Sequence, residues 1–159
     1  MQKTVYIETT IPSKYYELRP QFEYQKDATR EWWHNYRQNY ILYSSEFVKI
    51  ELNKGQHKFK TEILNLFLNT KEIQYLKFNE EIKEIIEIYI SNHLMPKEEF
   101  GDAYHLAVAS YYKIDILLTW NLAHLANLNK LDHMERINYK LKLNTPRILT
   151  PESLTGYNY

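Results

Sequence analysis

The chain reads as a single α/β domain with a parallel sheet covered by helices on both faces. Three observations predict this. Short apolar, β-branched runs alternate with amphipathic helical stretches, and parallel strands need crossover helices. Only 3 glycines are present, which argues against an all-β fold built on tight turns. At 159 residues, with 44% hydrophobic and 25% charged residues, the chain suits one ordinary globular core.

The first run, Thr4-Val5-Tyr6-Ile7, ends at Glu8-Thr9-Thr10 followed by Pro12, which predicts a buried strand closing in a turn. Helical periodicity spans 27–39. Tyr40-Ile41-Leu42-Tyr43 is a second β-prone run, and Ser44 and Ser45 are N-cap candidates for a helix reaching Leu52. After Gly55, Phe59, Ile63, Leu66 and Phe67 fall at helical spacing. A short strand within 72–78 follows, then a helix over 80–92 with Ile82, Ile85, Ile86 and Tyr89 on one face. Pro96 and Gly101 punctuate the chain before an Ala-rich helix over 102–113. Residues 114–119 form the clearest strand of the second half, a Leu-rich helical segment runs to about 143, and Arg147-Ile148-Leu149 predicts a last strand. The domain spans 1–155, with 156–159 a frayed tail.

The sequence has no cysteine, which excludes disulfides, thiolate nucleophiles and Cys-ligated metals. It shows no presequence and no apolar stretch of about 20 residues, so no membrane association and a cytoplasmic location are expected. Twenty basic residues balance twenty acidic ones, so net charge supplies no attraction to a polyanion. Residues 71–102 carry eight acids against four bases, whereas 128–147 carry five bases against two acids. The second segment permits a phosphate-facing rim, but solvated helix faces are the favoured reading of either segment taken alone.

In a parallel sheet the functional crevice lies beyond the carboxyl ends of the strands, where the strand order reverses. Glu8 leaves the first strand there, although a turn-stabilising role fits it as well. Glu51 falls four residues after Phe47 and three after Val48, within the apolar face of its helix. A carboxylate so placed needs a cation, a hydrogen-bond donor or a buried Lys or Arg. Glu46, nearer the start of that helix, is explained by the helix dipole. Asp102 and Asn121 each precede a helix and are open to a capping role. All four fall at strand ends or helix starts that one sheet edge gathers. Three converging carboxylates favour a hard cation with oxygen ligands, Mg²⁺ or Mn²⁺.

These residues resemble the motifs of the PIN-domain ribonucleases, and within them the VapC-type toxins of bacterial toxin–antitoxin pairs. Val5-Tyr6-Ile7-Glu8-Thr9-Thr10 resembles the opening strand, with Glu8 where the family usually has Asp. Glu51-Leu52 with Gly55 resembles the second acidic position, and Asp102-Ala103 with His105-Leu106-Ala107 the third. Leu118-Thr119-Trp120-Asn121 resembles the fourth, and the string continuing to Asn127 resembles one subgroup.

The resemblance implies a PIN-like, Rossmann-like three-layer fold with about five parallel strands and metal-dependent cleavage of RNA. Glu8, Glu51 and Asp102 would hold the Mg²⁺ or Mn²⁺, and Asn121 would add a neutral ligand oxygen or a bond to a metal-bound water. Thr9, Thr10 and Thr119 would orient the carboxylates by hydrogen bonds. His124 would contact phosphate near Asn121. A cognate antitoxin and a homodimer are implied by the same resemblance. A catalytically weak module that binds RNA or a protein without cutting is the alternative, because Glu8 lengthens the first ligand and Asn121 removes a charge.

His105 reads as a packed or solvent-facing histidine in preference to a proton carrier. Trp32, Trp33 and Trp120 are candidates for base stacking, with at least one of Trp32 and Trp33 more simply core.

Overall fold

The computed structural model describes residues 1–97, 100–125 and 128–155, without the side chains of Ala123, His124 and Leu128. The expected tail at 156–159 therefore lies outside the described residues. Five strands, β1 (Thr4–Ile7), β2 (Ile41–Ser45), β3 (Gln74–Leu76), β4 (Ile116–Leu118) and β5 (Arg147–Leu149), form one all-parallel sheet ordered β3-β2-β1-β4-β5. The strand order reverses at the β1/β4 neighbours. The α/β parallel-sheet expectation holds, and all five predicted strands are present, four within the expected segments and β2 running on through Ser44 and Ser45 beyond the expected 40–43.

Side-chain alternation explains why helices must cover both faces, since successive strand residues point to opposite sides. Val5, Ile7, Leu42, Ile116 and Leu118 enter one core, while Tyr6 and Leu117 enter the other. The first core is closed by α1 (Thr10–Tyr15), α3 (Glu46–Lys54), α4 (Lys60–Asn69) and the segment that follows α2 (Glu23–Glu31), through residues such as Ile11, Val48, Ile63, Phe67, Trp32 and Trp33. The second is closed by α5 (Glu80–Ser91), α6 (Phe100–Tyr111) and α8 (Leu128–Lys140) through Ile82, Ile86, Leu106, Val108 and Met134. The four-residue α7 (Leu122–Leu125) joins β4 to α8. Among the described residues no helix is long and apolar enough to cross a membrane.

Several local expectations change. The turn at Pro12 is the helix α1, which tolerates proline in its first turn because those N–H groups have no helical partner. The helix expected over 27–39 starts earlier, at Glu23, and opens into a π-helical segment over Trp32–Tyr36, where the Arg37 N–H bonds to the Trp32 carbonyl. Trp32 and Trp33 are both buried there, so neither is a base-stacking surface. Ser44 and Ser45 extend β2 and do not cap α3 with their side chains. The Ser44 hydroxyl donates instead to the Ile7 carbonyl, 2.9 Å away, tying β2 to β1.

Three helices end in one recurring way. His93, Lys113 and Lys142 follow α5, α6 and α8 with φ of 58°, 57° and 59°. The next residue's N–H reaches back over five residues: Leu94 to Tyr89 at 2.9 Å, Ile114 to Ala109 at 2.9 Å and Leu143 to Asn138 at 2.8 Å. This is the Schellman termination, with an apolar residue after each left-handed position. Glycine is the usual occupant of that conformation, and this glycine-poor chain uses histidine and lysine there.

Candidate active site

The carboxyl ends of β1 and β4 lie side by side at the point of strand-order reversal, and both carry polar groups that the sheet cannot leave unpaired. Glu8 follows β1 and is buried. Its Oε2 accepts three bonds: Thr10 N–H at 3.1 Å, Thr10 Oγ1 at 2.5 Å and Thr119 Oγ1 at 2.7 Å. The Thr10 hydroxyl in turn accepts the Trp120 N–H at 2.8 Å, and the Thr119 hydroxyl accepts the Asn121 N–H at 2.9 Å. Each hydroxyl proton is thereby left to point at Glu8. Burial raises the Glu8 pKa, opposed by the nearby His105 and by these hydrogen bonds. Among the described residues no Lys or Arg pairs with it.

Glu51, on α3, reaches the same crevice half-buried. Its Oε1 accepts Thr9 Oγ1 at 2.5 Å and His105 Nε2 at 2.5 Å. Burial works to raise its pKa, but the hydrogen bonds from His105 and Thr9, with Lys54 nearby, outweigh that and hold it below the usual range. The buried partner considered for Glu51 is thus a histidine, not Lys or Arg. Its Oε2 packs on Gly101, where a Cβ atom would stand only 2.6 Å away. A side chain at 101 would therefore displace the end of Glu51.

Asp102 is the third residue of α6, inside the first turn where the helix dipole favours a carboxylate. Its Oδ1 accepts Asn121 Nδ2 at 2.9 Å. Asn121 also fulfils the expected role at the start of α7, since its carbonyl accepts the Leu125 N–H at 3.2 Å.

The structure therefore gathers Thr10, Thr119 and Asn121 with the carboxylates as two connected sets: Glu8 with Thr10 and Thr119, and Asp102 with Asn121. Thr9 serves Glu51, on the neighbouring helix. Every oxygen donor is hard, which suits Mg²⁺ or Mn²⁺. Among the described residues, however, no group of three or more His, Asp or Glu side chains is spaced to hold a metal ion. The side chain of His124 lies outside the described residues.

Sequence reasoning undervalued His105. It is 1% exposed and links Glu51 to Tyr6, whose hydroxyl lies 2.6 Å from Nδ1 and 2.7 Å from Ser45 Oγ. Two signals were available. His105 falls one helical turn after Asp102, on the same face, and Tyr6 interrupts an otherwise aliphatic strand.

Two bases of the segment 128–147 are engaged or placed away from the carboxylates. Arg136 pairs with Asp132 at 2.5 Å, and Arg147 opens β5 at the opposite, amino-terminal edge of the sheet. A cavity of about 750 Å³ opens at that edge beside Lys3, Asp115 and Arg147, and contains none of the carboxylate-site residues. Trp120 donates its indole N–H to Thr29 Oγ1 at 2.8 Å, which holds it against α2.

No family model matches the chain, and no curated protein matches it.

Proposed function

We propose that the chain is a divalent-metal-dependent endoribonuclease with a PIN-like domain, acting on RNA phosphodiesters at the crevice of Glu8, Glu51 and Asp102. One observation carries this reading: acids from three separate elements lie at the strand-order reversal, and two of them, Glu8 and Glu51, have one oxygen clamped by oriented donors. The clamping bonds use Glu8 Oε2 and Glu51 Oε1. Glu8 Oε1 and Glu51 Oε2 take none of them.

Glu8, Glu51 and Asp102 would hold Mg²⁺ or Mn²⁺, which commonly binds one or two protein carboxylates and completes its shell with water and substrate phosphate. Bound there, the ion supplies charge neutralisation at phosphorus and acidifies a water. The chain's own residues do the orienting. Thr10 and Thr119 fix the Glu8 carboxylate against rotation, Thr9 and His105 do the same for Glu51, and the Asn121 amide holds Asp102. Such preorganisation lowers the cost of aligning water and phosphate at the moment of reaction.

A toxin role follows from the motif resemblance alone, and with it a cognate antitoxin covering the crevice and a homodimeric assembly. A second reading, an RNA- or protein-binding module that does not cut, is favoured by two observations. Asn121 stands where a fourth acid would add charge, and among the described residues no three acids are spaced to hold an ion.

Purified protein incubated with single-stranded and structured RNA in Mg²⁺ or Mn²⁺, beside Glu51→Gln, Asp102→Asn and chelator controls, separates the two. Cleavage that is lost in both variants and in chelator supports the nuclease. RNA retention with equal background cleavage in all samples supports the binding module.

A further inference from the structure

We propose that Ser45, Tyr6 and His105 form a one-directional hydrogen-bond relay that fixes the Glu51 carboxylate, so that Tyr6 and His105 are positioning residues of the site. The inference rests on the carboxylate-site reading above.

The direction of each bond follows from the number of protons available. An ionised carboxylate only accepts, so His105 Nε2 carries a hydrogen and donates it to Glu51 Oε1. Two wirings then remain for the other ring nitrogen. In the first, His105 is neutral, Nδ1 accepts the Tyr6 hydroxyl and Tyr6 accepts the Ser45 hydroxyl. Every proton has an acceptor. In the second, His105 is charged, Nδ1 donates to Tyr6 and Tyr6 donates to Ser45. The Ser45 proton is then stranded, because Tyr6 is the only side chain its hydroxyl meets among the described residues. Stranding it is costly where Ser45 and Tyr6 are 0% exposed and His105 is 1% exposed.

The first wiring is therefore the satisfied one. It also leaves Glu51 with its full negative charge, whereas a charged His105 would cancel it. The relay starts on β2, passes through β1 and α6, and ends on α3, so four elements fix one carboxylate.

The test uses the full chain. Long-range ¹H–¹⁵N NMR of His105 reads the tautomer directly, and Mn²⁺ titration followed by electron paramagnetic resonance reads ion binding without activity. Wild type is expected to show neutral Nε2–H histidine. Tyr6→Phe keeps the ring packed but removes the donor to Nδ1, and is expected to weaken Mn²⁺ binding about tenfold. His105→Gln keeps a donor amide for Glu51 but loses the Tyr6 link, and falls between the two. A purely structural role would lower the melting temperature and leave Mn²⁺ affinity alone. Wild-type His105 found charged or as the Nδ1–H tautomer overturns the relay, as does unchanged Mn²⁺ affinity in both folded variants. If Tyr6→Phe does not fold, His105→Gln carries the affinity readout and Ser45→Ala the tautomer readout: the neutral Nε2–H signature is expected to persist, because Tyr6 still donates to Nδ1 whereas a charged His105 would strand the Tyr6 proton, and conversion to a charged histidine overturns the relay. Wild type that binds no Mn²⁺ sinks the cation reading, while the tautomer still decides the relay.

Discussion

Gly101 and Glu8 show how single positions trade stability against the site. Alanine in place of a helical glycine ordinarily stabilises by about 0.5–1 kcal/mol. At Gly101 the added Cβ would stand 2.6 Å from Glu51 Oε2, so the carboxylate must move. Gly101→Ala is expected to retain the fold and lose about a hundredfold in kcat/KM on RNA, the scale of an ångström-sized misplacement. A cleavage assay beside a thermal melt checks both halves. Glu8 supplies the converse. Its raised pKa means that the folded chain favours the protonated acid, so its stabilising contribution is present below the ordinary carboxylate range and is lost as pH rises through the raised value. Glu8→Gln is accordingly expected to melt higher than wild type near about pH 8, with the difference shrinking towards about pH 4, while cleavage is abolished. A variant that melts lower at both pH values would contradict this.

At the scale of the element, the helix ends carry the clearest prediction. The left-handed conformation costs a non-glycine residue roughly 1–2 kcal/mol, and His93, Lys113 and Lys142 all adopt it. Lys113→Gly and Lys142→Gly are each expected to stabilise by about 1 kcal/mol, read as a higher denaturant midpoint with unchanged slope. The gap between α5, α6 and α8 holds the opposite case. Tyr89 donates to Asn138 Oδ1 at 2.5 Å, and Asn138 Nδ2 donates to Ser110 at 3.1 Å and Thr145 at 3.0 Å. Asn138→Leu orphans these buried partners and is expected to cost about 1–3 kcal/mol in chemical denaturation. Because the network lies apart from Glu8 and Glu51, cleavage by the folded fraction should be unchanged.

Across the whole molecule, the two cores and the reversal of strand order act together. Elements far apart in sequence meet at one edge: β1 brings Glu8, α3 brings Glu51, α6 brings Asp102 and the turn after β4 brings Thr119 and Asn121. A ligand that binds only this assembled edge must stabilise the entire fold by mass action. Saturating Mn²⁺ is expected to raise the melting temperature of wild type and to leave Glu51→Gln nearly unmoved, with chelator reversing the gain. Equal shifts in both would place the ion elsewhere.

Much of this was legible from the chain. The strand runs around Val5, Leu42 and Ile116 are short, apolar and bounded, so local pattern alone determined an α/β sheet and the end of the first strand. The acidic residues at those ends were equally visible, because apolar periodicity makes a misplaced carboxylate such as Glu51 stand out. Other features needed the third dimension. The roles of Ser44 and Ser45 turned on a sheet that continued through them, which no capping rule reveals. The partnership of His105 with Tyr6 and Glu51 joins residues 99 and 54 positions apart. Local pattern reports which residues seek burial or a cap. Which buried polar atom finds which donor depends on the packing of distant elements, and only the tertiary structure decides it.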